Sequence, residues 1–401
     1  MDHRTHEPER QALHGMVTPP QPTHLARNPA AAAKASAWPL VVLALGMAAL
    51  LGGMAGGLLR AGVPLPQAMA PTGWAGHAAV AHGALMVCGF MGTVIGIERA
   101  VAVKRLFAWL APAASGAGGL CLMAAQTALA AGLLSLAAAV FVGVNLVVVQ
   151  RQRAAHTLLL MAGALAWLVG CLLFWHQPGN TACLPWWFAF LVMTIAAERL
   201  EMTRLMRRRP GAQLALGVLL TALVAGASVT IFSARTGGVL YGLSLLLLAL
   251  WLGVFDIARR TVAAPGLPRY MAVCLLGGYA WLALAGIAWV ATALGWPLRD
   301  AALHALGLGF IVSMIMGHAP VILPAIARIK LPFSRLFYLP LLALHLSLVV
   351  RLFAGLHDLT WRGNGALLNA VAIGLFAATM AGAALRWKLR ALPKSPPPKQ
   401  G

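Results

Sequence analysis

From Ala37 onward, apolar runs follow one another with only short polar or basic interruptions. Each run is close to the ~20 residues that a helix needs to cross a bilayer. The pattern predicts twelve spans, at 38–59, 78–101, 107–128, 130–150, 155–175, 184–204, 212–232, 237–258, 270–295, 301–327, 335–356 and 364–386. The expected fold is therefore all-α, a polytopic membrane protein with twelve transmembrane helices. Residues 1–36 mix charge, Pro and His without periodicity and lack a basic segment running directly into an apolar core, so they read as a disordered tail rather than a cleaved signal. Residues 37–387 form the membrane domain, and 388–401 a basic, Pro-rich tail.

Charge then orients the spans. Lys and Arg total 30 against 9 acidic residues, a net charge of +21. The connections after spans 2, 4, 6, 8 and 10 hold Lys104/Arg105, Arg151/Arg153, Arg204/Arg207/Arg208/Arg209, Arg259/Arg260/Arg269 and Arg328/Lys330/Arg335, whereas the alternate connections hold one or two basic residues at most. Cytoplasmic loops retain Lys and Arg, so both termini are expected in the cytoplasm. A basic surface beside apolar spans faces lipid headgroups, and no nucleic-acid partner is expected. Cys88, Cys121, Cys171, Cys183 and Cys274 lie in apolar sequence without CxxC spacing, which suggests small core residues and neither disulfides nor a thiolate metal site. Spans 2 and 6 both end in a Glu-Arg pair, Glu98-Arg99 and Glu198-Arg199, one hundred residues apart. Span 10 runs in the same direction, and the spacing raises three four-helix pseudo-repeats as one reading and a chance match as the other.

Ionisable side chains inside a membrane are costly and mark function. Those within or at the rim of spans are His77, His82, His304, His318, His345, Glu98, Glu198, Glu201, Asp256 and Arg351. His82 and His304 each lie a few residues inside the outer end of an inward-running span; at ~1.5 Å per residue both sit roughly 10–13 Å outward of the midplane. Singly, each fits a hydrogen-bonded core position. As a pair at one depth they fit axial ligation of a haem, with Gly83 and Gly307 beside them and His82, Gly89 and Gly96 repeating every seven residues along an expected common face. Glycine at this spacing also serves plain helix packing. His318, fourteen residues after His304, is expected on the same face but about 21 Å away, near Glu98 and Glu198. There it is a second metal ligand, a proton relay with those carboxylates, or a polar helix-end contact; the Glu-Arg pairs are equally a proton entry or structural ion pairs. Pro320 and Pro324 are expected to bend this span and free carbonyls. His345, near the middle of span 11, fits a core histidine or a cofactor ligand, and His77 at the outer rim fits a copper ligand or a solvated residue. No nucleotide-binding, hydrolase or zinc-protease motif is present, and no CxxCH, so a haem would be held without covalent attachment.

Two segments resemble the NnrS family, bacterial multi-span membrane proteins with haem and copper linked to nitric oxide and nitrosative stress. His82-Gly-Ala-Leu-Met86-Val-Cys-Gly89-Phe90 is similar to that family's HAHEMxxGF segment. His304-Ala-Leu-Gly-Leu-Gly309, with Met314 and Gly317, is similar to its HALTxGxxxxMxxG segment, and Gly278-Tyr-Ala-Trp281 and Arg351 also match its pattern. The resemblance covers about a quarter of the chain. It implies haem b on His82 and His304, with Met86, Gly89 and Gly307 nearby, copper as a further cofactor, a place in the bacterial inner membrane, and a quinol or cytochrome as electron donor. Ala84 and Leu85 replace a second His and a Glu, Leu276 replaces a His, and His318 with its Pro-rich sequel replaces another stretch, so the chain reads as a divergent member that keeps the haem and loses a copper site. Haem-copper oxidase core subunits are similar in having twelve helices in three arcs with haem histidines on helices 2 and 10. Spans 6 and 7 here contain no histidine, so the copper site of those enzymes has no counterpart.

The leading expectation is thus a membrane haem b protein with an NnrS-like role in nitric oxide handling or electron transfer, an oxidoreductase if it is an enzyme. A twelve-span secondary transporter, with substrate at the midplane beside broken helices, is the alternative. A haem or copper sensor or assembly factor is the third reading. The sequence leaves the oligomeric state open.

Overall fold

The computed structural model describes residues 38–66, 72–202, 210–327 and 330–391, and every described segment is helix, turn or loop, without a strand. The basic clusters at 204–209, Arg328 and the terminal tails lie outside the described residues. Among the described residues, twelve helices are long and apolar enough to span a membrane. They are α1 (Trp38–Arg60), α2 (His82–Val103), α3 (Leu106–Met123), α4 (Thr127–Arg151), α5 (Ala155–His176), α6 (Cys183–Met202), α7 (Ala212–Val229), α8 (Ala234–Phe255), α9 (Leu267–Ala293), α10 (Arg299–Pro324), α11 (Arg335–Leu356) and α12 (Leu359–Leu389).

The expected count stands, and the boundaries move for identifiable reasons. The second predicted span begins at 78, but the chain breaks at Ala81 (φ −92°, ψ 11°) between a short helix, Trp74–Val80, and α2. The last helix extends well beyond 364–386, because Arg362, Arg386 and Lys388 stay in helix as long, partly exposed side chains.

Consecutive helices pack side by side along most of the chain; α6 also meets both α2 and α10, and the latter two approach through His82 and His304. Small residues allow the closest approaches. Gly89 lies against Ala49 of α1 and Gly119 of α3, and Gly286 of α9 against the backbone of Leu246 in α8. Between α4, α5 and α6 the space is filled by Trp167 stacked on Phe190 at 5.0 Å, with Phe141 edge-on to both. α6 is the most enclosed helix, buried on nearly every side, while α7 and α12 present most of their surface outward. A helix apolar all round and exposed on much of that surface belongs in lipid.

Two helices depart from α geometry at matched places. Leu85–Gly92 in α2 and Ala305–Val312 in α10 are eight-residue π-helical segments, each starting within three residues of a histidine and each returning to α-helix at a hydroxyl residue, Thr93 or Ser313. The wider winding misaligns backbone groups, and side chains make up for it in α2: Ser115 Oγ donates to the Cys88 carbonyl (2.6 Å) and Thr93 Oγ1 to that of Gly89 (2.7 Å). Lower in α10, Pro320 and Pro324 remain inside the helix. Pro320 removes the partner of the Met316 carbonyl four residues back, and Tyr270 from α9 donates its hydroxyl there instead (3.2 Å).

Candidate functional site

The site is assembled from the first turns of α2 and α10. His82 sits where the chain restarts after Ala81, and its Nδ1 donates to the Gly53 carbonyl of α1 at 2.7 Å. His304 ends the α-helical turn that precedes the π segment of α10. Its Nδ1 lies 3.0 Å from both the backbone carbonyl and Oδ1 of Asp300, one helical turn earlier. With Nδ1 carrying the proton on both rings, each Nε2 keeps its lone pair, and among the described contacts neither Nε2 has a hydrogen-bond partner.

The two imidazoles face one another across the helix pair, centroids 6.2 Å apart and planes 28° apart. Two imidazoles bound head-on to one metal, at ~2.0–2.1 Å per bond and about 1.1 Å from nitrogen to ring centre, have centroids roughly 6 Å apart. The observed 6.2 Å lies within the ~4.5–7 Å of ordinary offset ring pairs and also near the spacing of two head-on metal ligands.

Around the rings lies a cavity of about 140 Å³, bounded by α1, α2, α6, α10, α11 and α12. Its walls are Met, Leu, Ile, Val and Phe side chains, with Phe188 and Leu184 of α6 closing one side; His82, His304, Arg351 and Asn369 are its polar groups. That is the make-up of a cofactor pocket: mostly apolar, with a few convergent polar groups. Two glycines shape it. Gly307 lies beside the Phe188 ring, which a Cβ there would meet at 3.7 Å, and a Cβ on Gly57 would come within 2.8 Å of His82 Cε1.

Arg351 closes one edge of the cavity. It holds Asp300 with both nitrogens, NH2 to Oδ1 at 2.9 Å and Nε to Oδ2 at 3.1 Å, and reaches Asn369 Oδ1 at 3.5 Å. Asn369 in turn donates to Ser347 Oγ (2.6 Å), which donates to the Leu344 carbonyl. Asp300 is absent from the sequence-derived candidates because it falls just outside the predicted span; its place four residues before His304 was the available signal.

The other candidates are placed as follows. Met86 lines the cavity; Gly89 does not, because the π segment turns it toward Ala49 and Gly119. The seven-residue face expected for His82, Gly89 and Gly96 is broken the same way, and Gly96 meets Pro112 of α3. His345 lies apart, its Nδ1 accepting the Trp281 indole N–H at 2.6 Å, with Gly277 against the ring. His77 is exposed, its Nδ1 3.2 Å from the Met123 carbonyl. His318 belongs to a separate network at the far end of the same three helices. Its Nδ1 donates to the Met314 carbonyl (2.6 Å), its Nε2 receives Arg199, and Arg99 lies 3.8 Å from both Glu98 and Glu198. The common face expected for His304 and His318 assumed unbroken α-helix, and a π segment lies between them. Among the described residues, no group of three or more His, Cys, Asp or Glu side chains converges as a metal cluster would require.

Fold and site together define a class: a polytopic all-α membrane protein with a pair of opposed histidines inside an apolar cavity. The chain belongs to the family described as a domain of unknown function, DUF8744, whose model matches residues 39–385. No curated protein and no solved structure matches it.

Proposed function

We propose that this chain is an integral membrane haem b protein, with His82 and His304 as the two axial ligands and an NnrS-like role in nitric oxide handling or membrane electron transfer. The observation that carries the reading is the opposed imidazole pair, 6.2 Å between centroids, each ring fixed through Nδ1 and facing an apolar cavity. A haem bound there supplies a one-electron couple. The protein's own part is to hold both rings in one tautomer, to keep water away with the walls of α6 and α12, and to place a guanidinium at the cavity edge. A haem held by both histidines would suit electron transfer, from a quinol or a cytochrome, better than chemistry at an open metal. The proposed setting is the bacterial inner membrane, with both termini cytoplasmic. Three four-helix pseudo-repeats would account for α2, α6 and α10 meeting at the centre.

The test is an oxidised and reduced absorption spectrum of purified protein expressed with adequate haem, together with iron and copper content. A Soret band that His82→Ala and His304→Ala each abolish or shift is expected. Protein without a Soret band, or both variants with full wild-type haem spectra, overturns the proposal.

A further inference from the structure

The two histidines are supported unequally. His82 donates to a neutral carbonyl, that of Gly53, whereas His304 donates to Asp300, which offers a carboxylate oxygen at the same 3.0 Å as its backbone oxygen. A charged acceptor makes the stronger hydrogen bond. Such a carboxylate raises the basicity of a metal-bound imidazole and fixes its ring. This carboxylate is itself fixed, since both its oxygens are engaged by Arg351, and Arg351 is anchored through Asn369 and Ser347 to α11 and α12. An ion pair needed only to tie α10 to α11 would not have to stand within hydrogen-bond distance of a cavity histidine.

We infer that Asp300, clamped by Arg351, is a positioning residue that makes His304 the stronger electron donor of the two axial histidines and thereby lowers the reduction potential of the bound iron. The inference rests on the haem reading above. On reduction one electron passes from the reductant to the iron, the proton stays on His304 Nδ1, and no bond in the protein breaks. Negative charge behind the ligand favours the oxidised iron, so removing it favours the reduced form.

The experiment is a reductive titration of purified full-length protein with dithionite and mediators, comparing wild type, Asp300→Asn and Asp300→Glu. Asp300→Asn keeps a side-chain oxygen to accept from His304 and loses the charge. It is expected to retain the Soret band while the equilibrium shifts at least tenfold toward the reduced form, about 59 mV for a one-electron couple. Haem-loaded Asp300→Asn with a midpoint within that tenfold of wild type overturns the inference and leaves the haem reading standing. If Asp300→Asn loses haem, Asp300→Glu decides: haem retained at a midpoint close to wild type supports the role, and haem lost there too overturns it. Wild type without haem fails the earlier proposal itself, and the two failures are thereby told apart.

Discussion

Gly57→Ala isolates the ligand geometry from the fold. The added methyl would lie 2.8 Å from His82 Cε1, 3.1 Å from Nδ1 and 3.6 Å from Nε2. Carbon atoms settle at ~3.5–4.0 Å, so the ring must retreat by roughly 0.7 Å or more. The retreat is resisted, because the Gly53 carbonyl holds Nδ1 at 2.7 Å from one turn earlier on the same helix. A metal–ligand bond accommodates only ~0.2 Å, so under the proposed haem reading His82 would lose the metal unless α1 moves away. Helix propensity works the other way, since Ala in place of Gly inside a helix gains about 0.5–1 kcal/mol. The variant is therefore expected to accumulate and melt near wild type while its haem content falls, or its spectrum changes to that of a haem missing one imidazole. Absorption spectra in both redox states, haem per protein and a thermal melt in detergent measure all three quantities. Gly132→Ala is the control, since a Cβ there meets nothing within 4 Å. A Gly57→Ala protein with wild-type haem content and an unchanged spectrum would refute the ligand assignment for His82.

Three further outcomes are expected. Arg351→Met leaves the Asp300 carboxylate, with 27% of its side-chain surface exposed, without its guanidinium; a loss of about 1–3 kcal/mol, discounted for that exposure from the ~3–5 of a fully buried pair, is expected in thermal unfolding. Asp300→Asn combined with Arg351→Met should recover most of it, and equal stability of the single and double variants would contradict the pairing. Gly309→Ala places a methyl 2.5 Å from Cβ and Cγ of Trp281, and overpacking of about 1–3 kcal/mol should lower the melting temperature; an unchanged melt would mean that α9 and α10 do not meet as described. Topology reporters inserted at 152–154 and at 178–180 should report opposite sides of the membrane, with 152–154 cytoplasmic, and signals from the same side would overturn the orientation.

The architecture was legible because membrane spans announce themselves by length and composition, one run at a time. The pairing of His82 with His304 was legible for a related reason: two helices running the same way carry depth as a simple count of residues. What lay beyond reach depended on geometry that no local signal encodes. The π segments leave no mark in composition, so Gly89 was expected on the cavity face, whereas it turns toward Ala49 and Gly119. Gly57 was one glycine among many in α1, and only the position of the His82 ring, set by Gly53, gives it a distinct role. Asp300 was missed by a boundary: it stands before the predicted start of span 10, yet its side chain reaches forward to Nδ1 of His304.

The paired π segments make each histidine's aim depend on a single residue. Excising one amino acid from 85–92 or from 305–312 would let the stretch relax into ordinary α-helix, swinging the histidine before it through about 100° relative to the helix that follows. A one-codon deletion there would blind the pocket without touching any side chain that lines it on the opposite wall. Descendants of this chain that gave up the proposed haem would have an easy way to record the fact, in length rather than in lettering.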